Sequence, residues 1–344
     1  MNKTTIILDH IDGVEAAARM VEGKLDDILI DGGDVPRPGT IFRAICDRPL
    51  KGQGGMMVRL PDGDTGFLRA AKGLAPGQPI LVQVTGYADE GKAVPVTHKV
   101  LFKSRYAIVT PGAPGVNVSR SIRDDDARDT LLAVAHSVFD GDHGLILRSS
   151  CDGADAEEIA EDIEAMLAIA DHVIAQAEGP NAEMLNEGDG PHVTAWREWT
   201  DQSDVMTDAG GFESHGVLDQ LPAFFDPKVR LTSGDMYIEP TRALIAVDVN
   251  TGGDTSVAAG LKVNMSVARA LPRQLRLRGL GGQITLDLAP MTKNDRKQFE
   301  TTLRAAFRAD RIETALVGWT PLGHYELQRK RERLPLSDLV SEDL

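Results

Sequence analysis

The sequence predicts a multidomain α/β protein with a small closed β-barrel set into it. Three observations carry this. At 344 residues the chain is too long for one core and should divide into two or three domains. Between Thr40 and about Lys99 it reads as five short strands separated by Gly-rich turns, the text of a small barrel. From Pro227 onward apolar strands alternate with helical stretches.

In chain order, the first 35 or so residues read as strand, helix, strand: TTIILDH, VEAAARMVEG and LDDILID. Gly32–Gly33 and the run Pro36, Arg37, Pro38, Gly39 then break the pattern and mark a boundary. The five strands that follow are IFRAIC, GMMVRL, TGFLRA, ILVQVTGY and VPVTHKV. The OB-fold is the commonest nucleic-acid-binding barrel of this size, and a purely structural β-subdomain fits the spacing equally well. Leu101 to about Ala177 is mixed: YAIVTP and GLILRSS as strands, DDDARDTLLAVAHSVF and AEEIAEDIEAMLAIADHVIAQA as amphipathic helices. Gly179–Gly216 is polar and Gly-rich with no sustained period, and reads as a loop, a linker or an eroded subdomain. The remainder is α/β to the basic end ELQRKRER.

Hydrophobic content of 42% is ordinary for a soluble globular protein. No apolar run approaches a membrane span, and the N-terminus has no secretory signal pattern. Cys46 and Cys151 are far apart, so neither a disulfide framework nor a zinc site is expected, and a reducing cytoplasm is the simplest location. A net charge of −15 argues against a nucleic-acid partner, because phosphate binders are basic on the face they use. The charge is uneven, however. Acids cluster at Asp152–Met166, whereas bases cluster at Arg269–Arg278 and Arg329–Arg333.

The chemistry concentrates in two strands that each end in a carboxylate. In LIAVDVN (Leu244–Asn250), Ile245, Val247 and Val249 share one face, with Ala246, Asp248 and Asn250 on the other. In GGQITLDL (Gly281–Leu288), Ile284, Leu286 and Leu288 oppose Thr285 and Asp287. Between them runs a basic helix with Arg269, Arg273, Arg276 and Arg278, in which Pro272 marks a start or a kink. Two acids and a cationic helix suit a divalent metal and a phosphate backbone. The competing reading makes Asp248–Asn250 the start of a turn and Asp287 a solvated strand end.

IEPTRALIAVDVNTG, QLRLRGLGGQITLDLAPM and LGHYELQRKR together resemble the catalytic core of the ribonuclease E/G family. Upstream, GTIFRAICDRP, GFL, GQPILVQV and EGKAVPVT resemble its S1-type OB barrel, and RYAIVTPGAPGVNVSRSI with GLILRSS its 5′-end sensing region. The resemblance implies an α/β multidomain fold. An RNase H-like subdomain (1–36, with its remainder and a linker at 179–226) is interrupted by an S1-type OB-fold barrel (37–99). A 5′-sensor α/β region (100–178) and a DNase I-like catalytic domain (227–344) complete it. It implies Mg²⁺-dependent endonucleolytic cleavage of single-stranded RNA. Asp248 and Asp287 would be the metal ligands and Asn250 would orient the site. Mg²⁺ chemistry agrees, since that ion takes one or two carboxylates and keeps several waters. Phe67 would stack a base and Lys92 would be the basic barrel residue, against the alternatives of a core Phe and a solvated Lys. Arg273, Arg276 and Arg278 would meet RNA phosphate or hold an acid, against the alternative of a solvated helix face. Arg148 and Ser149 would grip a 5′-monophosphate, with Ile108 as an apolar wall and Arg120 nearby. The alternative for Arg148 is a partner among the acids that follow it.

The sequence departs from the family pattern. Met57 stands at the companion aromatic of the barrel and Ser104 at a Gly of the sensor rim. Ala289–Pro290 replaces Ile–Asp, and the loop after Asp248 is short. The Cys-x-x-Cys zinc link is absent, so a zinc-linked tetramer is not expected, while the resemblance leaves room for a homodimer. His324 carries no assigned role. The alternative to a nuclease is a non-catalytic RNA-binding paralogue, and a third reading is a DNA nuclease on the same scaffold.

Overall fold

The computed structural model describes residues 3–342 apart from 51, 53, 70, 71 and 255. The chain forms two compact units, one of residues 1–33 with 202–344 and the other of residues 34–201.

The first unit begins with three antiparallel strands, β1 (Thr4–Ile11), β2 (Val14–Val21) and β3 (Lys24–Ile30). The helix expected over VEAAARMVEG is therefore a strand. The turns explain why: Asp12–Gly13 and Glu22–Gly23 all have positive φ, the conformation of two-residue hairpin turns. Ala16, Ala17 and Ala18 are good helix formers, and hairpin pairing on both sides overrides that propensity.

The second unit holds the barrel: β4 (Ile41–Leu50), β5 (Gly55–Arg59), β6 (Thr65–Arg69), β7 (Pro79–Val84) and β8 (Val94–Thr97). The order β4-β5-β6-β8-β7 closes through β4–β7, with only β6–β8 parallel among these pairs. This closed five-stranded barrel is consistent with an OB-fold. Phe42, Ala44, Cys46, Met56, Val58, Leu68, Val82, Val84 and Val96 alternate inward and fill it. Next come β9 (Phe102–Lys103), β10 (Ala107–Thr110), β11 (Gly115–Val118), α1 (Asp125–Val138), β12 (Gly144–Leu147) and α2 (Ala156–Ala175). The strands form a sheet of order β11-β12-β10-β9, against which Leu131, Ala135, Ile159 and Ile163 pack. Asp124 and Asp155 cap the two helices as sequence rules anticipate. β13 (Glu183–Asn186) pairs with β4, and α3 (Pro191–Glu198) ends the unit.

Returning to the first unit, β14 (Asp204–Met206) adds to β1 in parallel, and α4 (Gly211–Ser214) and the helical turn Leu218–Phe224 cover that sheet. The polar stretch expected as loop or linker thus carries short elements on both sides of the unit boundary. Its period was illegible because each element is only a few residues long. A six-stranded sheet follows, formed by β15 (Lys228–Leu231), β16 (Gly234–Pro240), β17 (Ile245–Asn250), β18 (Gly282–Asp287), β19 (Thr314–Trp319) and β20 (Tyr325–Arg329) in the order β15-β16-β17-β18-β20-β19. Helices α5 (Val257–Leu277) and α6 (Lys293–Ala309) pack on one face through Val263, Val267, Leu271, Phe299 and Leu303 against Met236, Ile238, Val247, Ile284 and Leu286. A short helix, α7 (Leu336–Leu339), adds Leu336 to the core of the smaller sheet. Pro272 neither starts nor ends α5; it lies inside it, where it removes the bond that residue 272 would give residue 268.

Candidate functional site

The six-stranded sheet has one face under helices and one face open. On the open face β17 and β18 run parallel and in register, so that Asp248 lies directly beside Asp287. Neighbouring strands are about 4.8 Å apart, which places two carboxylates within reach of one cation. Both side chains are exposed, Asp287 at 67%. Asn250, two residues on and on the same face, donates its amide to Asp248 at 2.7 Å. Among the described residues no Lys or Arg pairs with either acid.

The topology explains the position. β17, α5 and β18 make a parallel crossover unit, and ligands of α/β sheets collect outside the carboxyl ends of such strands. Two groups that sequence reasoning missed hold the surrounding loops. Asn264, fully buried in α5, donates to the Ala289 carbonyl at 2.8 Å and accepts from the Ala289 amide at 3.2 Å, fixing the turn after Asp287. Gly260 lets that turn approach α5, since a Cβ there would lie 2.8 Å from the Pro290 carbonyl oxygen. His324, left without a role, places a buried Nδ1 that makes no hydrogen bond 3.4 Å from an Asp287 carboxylate oxygen. Nothing in its apolar sequence context signalled this; the pairing of β18 with β20 brings it there.

The donor set fits a hard divalent cation. It is all oxygen, exposed, and among the described residues paired with no Lys or Arg, His324 being its one basic neighbour at Asp287. No group of three or more His, Cys, Asp or Glu side chains converges as a ready cage among those residues. Mg²⁺ needs no such cage, because it retains waters and takes one or two carboxylates.

The last arginines of the basic helix face inward, while Arg269 is exposed. Arg276 and Arg278 are 8% and 5% exposed. Arg276 pairs with Asp26, Asp27 and Asp310; Arg329 and Arg333 complete the network, Arg329 at 2.6 Å from Asp310 and Arg333 on Asp27. Burial alone would raise the Asp27 carboxyl; Arg333 and then Arg276 hold it below its ordinary range. Arg278 donates to the Asp226 carbonyl and to Gln274, and burial pulls its guanidinium down to about 10. Arg273 is spent on the Leu25 carbonyl. Of the two roles the sequence leaves to these arginines, Arg276 fills that of holding acids, and all three tie α5 to β3 and to the loops around it. Spacing on a helix does not reveal which face meets an acid-bearing strand over two hundred residues away.

In the second unit Phe67 is half-buried on β6, opposite Met57 on β5 and Pro95 on β8. Its ring lies across Gly55, where an added Cβ would come within 2.5 Å of it. Lys92 is 70% exposed and held by Asp89 at 2.5 Å. Arg148 is not free. Its guanidinium donates to Glu198 at 2.9 Å and to the Ser104 and Arg197 carbonyls. Glu198 also receives Lys103 at 2.7 Å and Arg197 at 2.8 Å. Burial pushes the Glu198 carboxyl up, but Lys103, Arg148 and Arg197 outweigh it and bring it down to about 2. The acid partner of Arg148 therefore comes from α3 and not from the acids that follow it in sequence. Ser149 and Arg120 are exposed, and Ile108 is half-buried opposite Ile146. Ser104 is buried, its hydroxyl donating to Asp162 at 2.5 Å.

The chain is thus a mixed α/β protein with a closed five-stranded barrel in one unit and paired strand-end acids in the other. The sequence pattern of the Ribonuclease E/G family matches residues 102–210 and 202–332, and the chain belongs to that family. It is 27% identical over 385 aligned residues to a protein named Ribonuclease E from Nostoc sp. (strain PCC 7120), covering 95% of this chain and 56% of that protein. It is 28% identical over 300 residues to Ribonuclease G of Salmonella typhimurium (75% of this chain, 60% of that one) and 28% over 308 residues to Ribonuclease G of Escherichia coli K12 (78% and 62%). The chain spans about three fifths of the length of these relatives.

Proposed function

We propose that this chain is a Mg²⁺-dependent endoribonuclease that cleaves single-stranded RNA in RNA processing or decay. The observation that carries the reading is the in-register pair Asp248–Asp287 on the open end of a parallel strand pair, with Asn250 bound to the first acid. Family membership and the names of the relatives support it.

In this reading Asp248 and Asp287 hold the cation, which when bound stabilises charge on the scissile phosphate and lowers the pKa of an attacking water. Asn250 fixes the Asp248 carboxylate, leaving its other oxygen for the cation. The turn pinned by Asn264 keeps Asp287 at the same depth. These groups pre-position charge rather than react, which is what phosphoryl transfer asks of a protein. The RNA strand uses Phe67, and Lys92 once Asp89 releases it, on the barrel. An RNA 5′-monophosphate at Arg148, with Ser149, Ile108 and Arg120 around it, has to displace Glu198. We therefore read this region as weakly responsive to the 5′ end. The buried free cysteines suit a reducing cytoplasm, and no described helix is long and apolar enough to cross a membrane. A homodimer is compatible with this reading.

The test is cleavage of an AU-rich single-stranded RNA with Mg²⁺ or with EDTA, by the wild type, Asp248→Asn and Asp287→Asn. Metal-dependent cleavage lost in both variants supports the reading; cleavage that persists in both removes the assignment. Salt-sensitive RNA binding without cleavage would indicate the non-catalytic paralogue, and equal cleavage of matched DNA a general nuclease.

A further inference from the structure

We propose that Tyr237 is a base-stacking platform that holds the base of the nucleotide beside the scissile phosphate; this rests on the nuclease reading above. The observation is a register row across four strands of the open sheet face. Lys228 on β15 is the partner of Tyr237 on β16, Tyr237 of Asp248 on β17, and Asp248 of Asp287 on β18. The row therefore runs cation, aromatic ring, acid, acid.

The core does not require this ring. On β16 the buried positions are Met236 and Ile238, at 0% and 1% exposure, and they face the helices. Tyr237 points to the opposite, open face, where its row neighbours are a lysine and a carboxylate rather than apolar side chains. Tyr237 is half-exposed, with the Lys228 ammonium over its ring, so a base stacking there takes the place of that side chain. The ring's spacing from the acids fits a nucleobase. One strand spacing, about 4.8 Å, separates Tyr237 from Asp248 at the backbone, and two separate Lys228 from it. A phosphate at the two acids and a base on Tyr237 are then parts of neighbouring positions on one strand of RNA. Lys228 is held at 2.9 Å by Asp235 with its ammonium 5.6 Å from the ring centre, and in this proposal it leaves Asp235 for the next phosphate. Arg230, exposed two residues along β15, extends the same cationic edge. The order of groups matches what a single strand presents: phosphate, base, phosphate.

A sequence-tolerant platform of this kind reads the presence of a base more than its identity, because every base has a π-face. A single-stranded oligoribonucleotide with one mapped cleavage site, and a series with an abasic nucleotide at each flanking position, tests it. Cleavage and equilibrium binding are measured for the wild type, Tyr237→Phe and Tyr237→Leu. The wild type and Tyr237→Phe should lose about tenfold in kcat/KM at the one position next to the cleaved bond, a loss within the range of one base–aromatic stack. Tyr237→Leu should be about tenfold slower on intact RNA and indifferent to the abasic nucleotide at that position alone. A Tyr237→Leu profile identical to the wild type overturns the proposal. If the wild type binds RNA without cleaving it, the nuclease reading fails and the binding profile decides the platform. A position-specific loss absent from Tyr237→Leu then supports it, and a profile shared with the wild type overturns it. No RNA binding by the wild type overturns both.

Discussion

Asp248 and Asp287 are register partners on adjacent parallel strands, thirty-nine residues apart in sequence and side by side on the open face of the sheet. Two like charges at this spacing repel, and a divalent cation between them relieves the repulsion. The pair is therefore expected to be tolerant of substitution in the free protein and intolerant in function. Asp287→Asn should leave the free energy of urea unfolding within about 0.5 kcal/mol of the wild type, or slightly above it, since exposed positions of this kind contribute little. A large destabilisation would show that the acid is structural.

Asn250 donates to Asp248 at 2.7 Å, so in the proposed reading it acts on the cation through its neighbour. Removing a partner that orients a ligand typically weakens metal affinity by about 10–100-fold. Asn250→Ala should therefore raise the Mg²⁺ concentration for half-maximal cleavage by about tenfold, with a smaller effect at saturating metal. A change in maximal rate with no change in metal requirement would place Asn250 on the RNA instead.

The buried network of Arg276, Arg329 and Arg333 with Asp26, Asp27 and Asp310 ties the N-terminal strands to α5 and β20. Taking away one partner leaves an uncompensated buried charge, at a cost of about 3–5 kcal/mol. Asp310→Asn should lower stability by that order, read by denaturant unfolding. Asp287→Asn on the exposed face provides the contrast.

Glu198 is held at about 2 against an ordinary 4.5. A carboxyl with a depressed value in the folded state stabilises the protein above its unfolded value, and that contribution fades as pH falls from about 4.5 toward about 2. The second unit should lose stability over this window, and Glu198→Gln should flatten that part of the pH profile. The same substitution releases Arg148, Lys103 and Arg197. Preference for a 5′-monophosphate over a 5′-triphosphate RNA should then rise above that of the wild type. An unchanged preference would show that these cations do not meet the RNA end.

Part of this was legible in the sequence and part was not, for physical reasons. The five barrel strands and the two acid-ended strands could be read because alternation of apolar and polar residues is local. The hairpins at Asp12–Gly13 and Glu22–Gly23 also carried a local signal, the Gly after an acidic residue, which the alanine-rich stretch between them masked. The fates of Arg276, Arg278 and Arg148 were not readable, because their partners Asp27, Asp310, Asp226 and Glu198 come from distant segments. Tyr237 and His324 join the acids only through strand register, which the turns and the six-stranded pairing set together.

The measurement that bears most directly on the central claim is Mg²⁺-dependent cleavage of one single-stranded RNA by the wild type and by the two single variants Asp248→Asn and Asp287→Asn. The account predicts cleavage that EDTA abolishes and that each substitution lowers by about 10²-fold or more, the scale of losing a group that stabilises transition-state charge. Cleavage by both variants at the wild-type rate would contradict it.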